Sequence, residues 1–161
     1  MPYSARMSSV TAQLDAAATQ CAANGAQLTA LRRAVLELIL AAHGPLTAYQ
    51  LLDQLKATRK SAMPPTVYRA LEFLSEQKLI HRLERLNAFV PCTDTGHAHD
   101  GAQFLICRGC GSVTEMEDHE VSHALAAAAA RHGFTPSHAI VELDGLCAAC
   151  FQKDCAARAS T

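Results

Sequence analysis

In the first half of the chain, apolar residues recur at helical spacing in three successive stretches and then give way to two short runs. Leu31, Val35, Leu38 and Ile39 follow Thr29, a residue type that caps helices, and the stretch stops at His43-Gly44-Pro45. Thr47-Ala48-Tyr49-Gln50 has the form of a capping box, and Ala48, Leu51, Leu52 and Leu55 stripe the helix it opens. Pro64-Pro65 suits the first turn of a third helix, on which Val67, Ala70, Leu71 and Leu74 share one face. Thr66, Tyr68 and Arg69 are left nearer the other face. Residues 79–83 and 88–92, joined through Glu84-Arg85-Leu86-Asn87, pair as a short hairpin. Three helices and a hairpin predict a winged helix-turn-helix.

The second half has a different texture. Residues 103–106 and 112–115 read as short strands around a tight turn, and residues 138–143 as another. Between them a helix over about 118–132 is rich in alanine, at Ala124 and Ala126 to Ala130, and stops at Gly133. Such a helix has high intrinsic propensity but buries little area alone, so it is expected to pack closely on a sheet or on a partner subunit.

The composition adds two constraints. No apolar run approaches the roughly 18–20 residues of a membrane span, and the start of the chain shows no secretory pattern, which leads to the expectation of a cytoplasmic protein. Charge is uneven: residues 28–90 carry nine Lys/Arg against five Asp/Glu, and residues 91–161 carry four against nine. A basic first half fits a polyanion-binding module, although a solvated surface accounts for it almost as well. In a winged helix the last helix presents its N-terminal residues to base edges, and Arg69 is the base reader that this geometry selects. Arg59 and Lys60 in the preceding loop, with Arg82 and Arg85 on the hairpin, would attract phosphates. An ordinary helical packing unit with solvated arginines is the competing account.

Seven cysteines, most of them in ligand spacing, point to metal chemistry in a reducing environment rather than a disulfide framework. Cys107-Arg108-Gly109-Cys110 and Cys147-Ala148-Ala149-Cys150 each supply two sulfurs from one turn, and four thiolates fill a tetrahedral zinc site with no open position for chemistry. Either pair alone also fits a redox dithiol, which would make the chain a thiol-disulfide oxidoreductase using Cys107 and Cys110. The matched second pair favours zinc. A second group of ligand types, His81, Cys92, His97, His99 and Glu115, surrounds the junction of the two halves and also suits zinc. Cys21 and Cys155 have no assigned role.

Taken in order, Pro64-Pro-Thr-Val-Tyr-Arg-Ala-Leu71, Cys92, His99, Cys107-Arg-Gly-Cys110-Gly, Glu115 and Gly145-Leu-Cys-Ala-Ala-Cys150 resemble the ferric uptake regulator family, and within it the zinc uptake regulator branch. The resemblance covers about residues 28–150. It implies an α+β fold: an N-terminal winged helix-turn-helix domain followed by a small C-terminal α/β dimerisation domain with a four-cysteine zinc site. The expected divisions are 1–91 for the DNA-binding domain, with an N-terminal helix and extension over 1–27, then 92–102 for a hinge and 103–161 for the dimerisation and metal-binding domain. Cys107, Cys110, Cys147 and Cys150 become structural zinc ligands; His81, Cys92, His99 and Glu115 become regulatory ones, with His97 as the alternative to His99. Two zinc ions per subunit follow. Tyr49 and Arg69 match DNA-contacting positions, joined here by Arg59, Lys60, Thr66 and Tyr68. A third family metal site is not expected, because Ser122 stands where it uses an acidic residue.

The implied function is a homodimeric, zinc-responsive transcriptional repressor of zinc-uptake genes that binds operator double-stranded DNA when zinc-loaded. No catalytic residue or small-molecule substrate is expected. Cys92 separates this reading from an iron- or peroxide-responsive regulator of the same family, because a thiolate favours zinc.

Overall fold

A computed structural model describes residues 10–92 and 101–159, and the chain divides into two compact units, residues 1–96 and 97–161. The first contains α1 (Val10–Ala23), α2 (Ala30–Ala41), β1 (Leu46–Thr47), α3 (Ala48–Thr58), α4 (Pro64–Glu76), β2 (Ile80–Leu83) and β3 (Ala88–Pro91). The three expected helices and the hairpin are all present.

Local chemistry sets most of these boundaries. The Thr47 hydroxyl accepts from the Gln50 N–H at 3.2 Å while the Gln50 side chain accepts from the Thr47 N–H at 2.8 Å, which completes the capping box of α3. Thr29 takes the N-cap position of α2 but makes no side-chain cap bond; its carbonyl accepts from the Arg33 N–H, and its own N–H donates to the Gln27 carbonyl. Pro64 and Pro65 open α4 as expected. That helix ends in a Schellman turn, with the Lys78 N–H on the Ser75 carbonyl and the Leu79 N–H on the Leu74 carbonyl. Lys78 takes φ of 56° there, a conformation usually left to glycine. In the hairpin the left-handed position falls to Asn87, a residue that tolerates it, and its side chain accepts from Arg82.

The core of this unit lies where the helices meet. Val35 and Ile39 of α2, Leu51 and Leu55 of α3, and Leu71 and Leu74 of α4 are buried. The sheet order is β1-β3-β2, all antiparallel, with Leu46 opposite Phe89 and His81 opposite Val90. The connection between α2 and α3 thus adds a strand to the wing and ties it to the helices. Helix α1 contributes Leu14, Ala17 and Cys21 to the core. Cys21 is therefore a core residue, and burial raises its thiol pKa. Arg33 bonds Asp15 at 2.8 Å, and the Arg32 guanidinium lies 3.5 Å from the centroid of the Phe73 ring. Two of the nine basic residues of the first half therefore serve packing.

The second unit contains β4 (Ala102–Cys107), β5 (Val113–Met116), α5 (His119–Arg131), β6 (Ile140–Gly145) and α6 (Ala148–Ala159). Its sheet runs β5-β4-β6, with β5 antiparallel and β6 parallel to β4. Asp118 caps α5 through the Glu120 and Val121 N–H groups, and Gly133 at φ of 67° ends it. The Gln103 amide ties that helix to the sheet by donating to the Asp118 carbonyl at 2.8 Å and the Ser122 hydroxyl at 3.0 Å. No described helix is long and apolar enough to cross a membrane.

Lys78 provides a test of the backbone argument. A non-glycine residue in the left-handed region costs roughly 1–2 kcal/mol, partly offset by the extra freedom glycine has when unfolded. Lys78→Gly should therefore stabilise the first unit by about 0.5–1 kcal/mol, read as a higher denaturant midpoint. A lowered midpoint would contradict this account of the turn.

Candidate metal centre and nucleic-acid interface

Cys107 ends β4, Cys110 closes the turn into β5, and Cys147 and Cys150 flank the start of α6. The parallel β4–β6 ladder pairs Cys107 with Gly145, which delivers the second cysteine pair beside the first. The four sulfurs lie within 4.8 Å of one another, and those of Cys110 and Cys147 are 3.9 Å apart. Metal–sulfur bonds of 2.3 Å in a tetrahedron require a separation of about 3.8 Å. None of the four forms a disulfide. The donor set and spacing fit a closed structural zinc site.

The surrounding backbone is arranged for negative sulfur. The Cys147 N–H donates to the Cys107 sulfur at 3.2 Å, and this bond, followed by that from the Cys110 N–H, lowers the Cys107 pKa to about 6. Cys110 is also lowered, chiefly by the Ser112 hydroxyl 3.2 Å from its sulfur. Cys150 moves the other way, to about 12, because the Cys147 and Cys107 sulfurs crowd it. Successive thiolates in one small volume repel, and the last to ionise bears the penalty. Gly109 makes the close approach possible: a Cβ there would stand 2.8 Å from both the Cβ and the sulfur of Cys150. Ser112 and Gly109 were not singled out from the sequence. A small residue inside a Cys-x-x-Cys turn and a hydroxyl two positions after it were the available signals.

The second ligand group is divided between the units. His81 lies on β2 opposite Val90, and the Cys92 N–H bonds the Leu79 carbonyl, so His81 and Cys92 are diagonal neighbours on one face of the hairpin. Both are buried. Glu115 lies on β5 of the second unit, opposite Phe104, and is half-buried. His97 and His99 lie outside the described residues. Ser122 is engaged by Gln103 and by its own bond to the Asp118 carbonyl, while His119, His123, His132 and His138 are exposed.

On α4 the buried face of Val67, Ala70, Leu71 and Leu74 leaves Thr66, Tyr68 and Arg69 exposed. Glu72 and Glu76 continue the exposed side toward the helix C-terminus. A polyanion is attracted to the first two turns of such a helix and repelled from the last. Tyr49, at the second position of α3, is 79% exposed. Arg59 and Lys60 are exposed in the connecting loop, where the Arg59 N–H caps α3 on the Leu55 carbonyl and its guanidinium reaches the Ala30 carbonyl at 3.4 Å. On the wing, Arg82 is held by Asn87 and by Glu84 at 3.3 Å, which reduces its availability to phosphate.

Comparison with known proteins identifies similar chains. The sequence model of the Ferric uptake regulator family matches residues 23–144. The chain is 39% identical to the zinc uptake regulation protein of Escherichia coli (strain K12) over 132 residues, 82% of this chain and 77% of that protein. A solved zinc uptake regulator complexed with zinc and DNA is 36% identical, with a TM-score of 0.86 over 92% of this chain and 99% of its own. The crystal structure of holo XcZur is 41% identical, with a TM-score of 0.80 over 89% and 99%.

The four-cysteine geometry makes a proton prediction. With Cys107 lowered to about 6 and Cys150 raised to about 12, the metal-free site at neutral pH holds protons that zinc must displace. Zinc uptake should therefore release protons, and zinc affinity should fall as the pH is lowered. Titration calorimetry in buffers of different ionisation enthalpy measures this release. A binding enthalpy independent of the buffer would contradict thiolate coordination.

Proposed function

The chain belongs to the ferric uptake regulator family, and on that premise we propose that it is a zinc-responsive transcriptional repressor of zinc-uptake genes that binds operator DNA as a homodimer when zinc-loaded. The observation that carries this reading is α4. Its apolar face is consumed by the core, while its first two turns present Thr66, Tyr68 and Arg69 to solvent, and Tyr49 is exposed at the start of α3. Those are the side chains a helix-turn-helix would offer to a major groove. The relatives, named for zinc uptake regulation, supply the effector.

Two zinc ions per subunit are proposed. The four cysteines hold the structural ion. His81, Cys92, Glu115 and His99, or His97 in its place, hold the regulatory one, and Cys92 favours zinc over the harder ions of related sensors. The two ions share no ligand, so each can be removed separately. The first unit would bind DNA and the second would dimerise. Supporting the latter, no residue of α5 is buried, and Leu105, Leu125, Phe134 and Leu143 are exposed on this unit. An apolar surface of that kind marks an interface. No catalytic role is assigned, and the protein would work in the cytoplasm. Regulatory zinc and DNA would each raise affinity for the other by the same coupling factor.

Two experiments test this reading. Cys92→Ser should remove the regulatory ion while leaving the four-cysteine zinc and the dimer, abolishing the zinc response on DNA. A variant still binding two ions per subunit with an unchanged DNA response would remove Cys92 from the site. Arg69→Ala should cost about 1–3 kcal/mol and relax preference at one base position per half-site, whereas Arg59→Ala should weaken all sequences alike and reduce the salt slope. Zinc-saturated binding to duplexes selected from a random-sequence library, and to their single-base variants, measures both. Unchanged base preference in Arg69→Ala would mean that α4 does not read DNA.

A further inference from the structure

Among the described residues of the first unit, four large apolar side chains are exposed: Tyr49 at 79%, Met63 at 60%, Tyr68 at 60% and Leu86 at 37%. Three of them stand at the starts of α3 and α4, and the fourth is in the turn of the wing. Exposed apolar surface in this unit therefore lies on its proposed reading elements. Tyr49 and Tyr68 already have a place there. Met63 has none.

Met63 is the N-cap residue of α4, a position where a side-chain oxygen usually accepts from the second or third N–H of the helix. That duty is absent here. Pro64 and Pro65 have no N–H to offer, and the Thr66 and Val67 N–H groups are taken by the Met63 carbonyl, at 3.0 and 3.3 Å. The Met63 side chain makes no capping bond and remains largely outside the core, so neither task dictates an apolar residue. Its neighbours along the chain are basic and exposed: Arg59 and Lys60 precede it in the same loop, and Arg69 follows on α4. That charge is complementary to phosphate, which brings DNA, rather than an apolar protein surface, against the thioether.

We propose that Met63 is a specificity-determining residue that packs its thioether against the 5-methyl group of a thymine in the major groove. The inference rests on the reading of α4 as a recognition helix. Thymine alone among the bases carries a methyl group in that groove, and an apolar contact with it discriminates thymine without a hydrogen bond. An unbranched, polarizable side chain adapts to such a contact at little strain.

The test uses zinc-loaded full-length protein and a duplex selected by it from a random-sequence library. Each thymine of the duplex is replaced in turn by deoxyuridine, which deletes only the methyl group. At one position per half-site the wild type should lose about fourfold in affinity, as expected for one buried methyl. Met63→Ser should lose that penalty while keeping any at other thymines, and Met63→Leu should retain it. Met63→Ser should fold normally, which circular dichroism and zinc content verify, because the residue neither caps nor packs. A wild type with no deoxyuridine penalty, or a Met63→Ser variant with the same penalty at every position, overturns the inference. If the zinc-loaded wild type enriches no sequence at all, the repressor reading fails with it; enrichment with an unchanged penalty pattern removes Met63 alone.

Discussion

Four sulfurs gathered within 4.8 Å cannot all carry charge unless a cation neutralises them, and the second unit has little else to hold its last strand and helix. Among residues 101–154 only Ala102, Gln103, Phe104, Ile106 and Cys107 are buried, all of them on β4. Such a core is far smaller than an independent domain of this size requires. Helix α5 is held by the Gln103 amide of β4 and has no buried residue of its own, and α6 begins inside the cysteine cluster. On the proposed reading, metal coordination and a partner surface would supply the stabilisation missing from apolar burial.

The first unit is held in the opposite manner. Its helices share a continuous apolar core, and the strand made by Leu46 and Thr47 fixes the wing to the helical layer. Polar groups are consumed locally, by the capping box and by the turn after α4. Arg32 and Arg33 show that part of the basic charge serves packing, which leaves Arg59, Lys60 and Arg69 as the exposed cations nearest the start of α4. The two units are therefore stabilised in different ways, the first by apolar packing and the second with little of it.

Legibility in the sequence followed the range of the interactions. The capping box at Thr47, the double proline opening α4 and the glycine ending α5 are set by neighbours a few residues away, and each was readable. Thr29 occupies the expected cap position without the expected bond, because a residue type only makes such a bond available. Helix α6 was not foreseen, since its small and polar residues lack an apolar stripe, and β1 was missed because two residues carry no period. Cys21 was readable in principle: Leu14, Ala17 and Cys21 recur at helical spacing, but a cysteine invites a chemical reading before a packing one. The four-sulfur site was legible from spacing alone. The steric need for Gly109 was not, because it arises from Cys150, which only the fold brings near.

The parallel pairing of β4 with β6 also sets an order of events during synthesis. Cys107 and Cys147 are 40 residues apart, and the β4–β6 ladder that brings them together cannot form until β6 has left the ribosome. Closing so long a loop is entropically costly, and parallel pairing is a slow topology. The first unit is synthesised first, so it can fold while the second is still being made. During that interval Cys107 and Cys110 stand without the two sulfurs that later join them, a dithiol open to oxidation until the cluster can close.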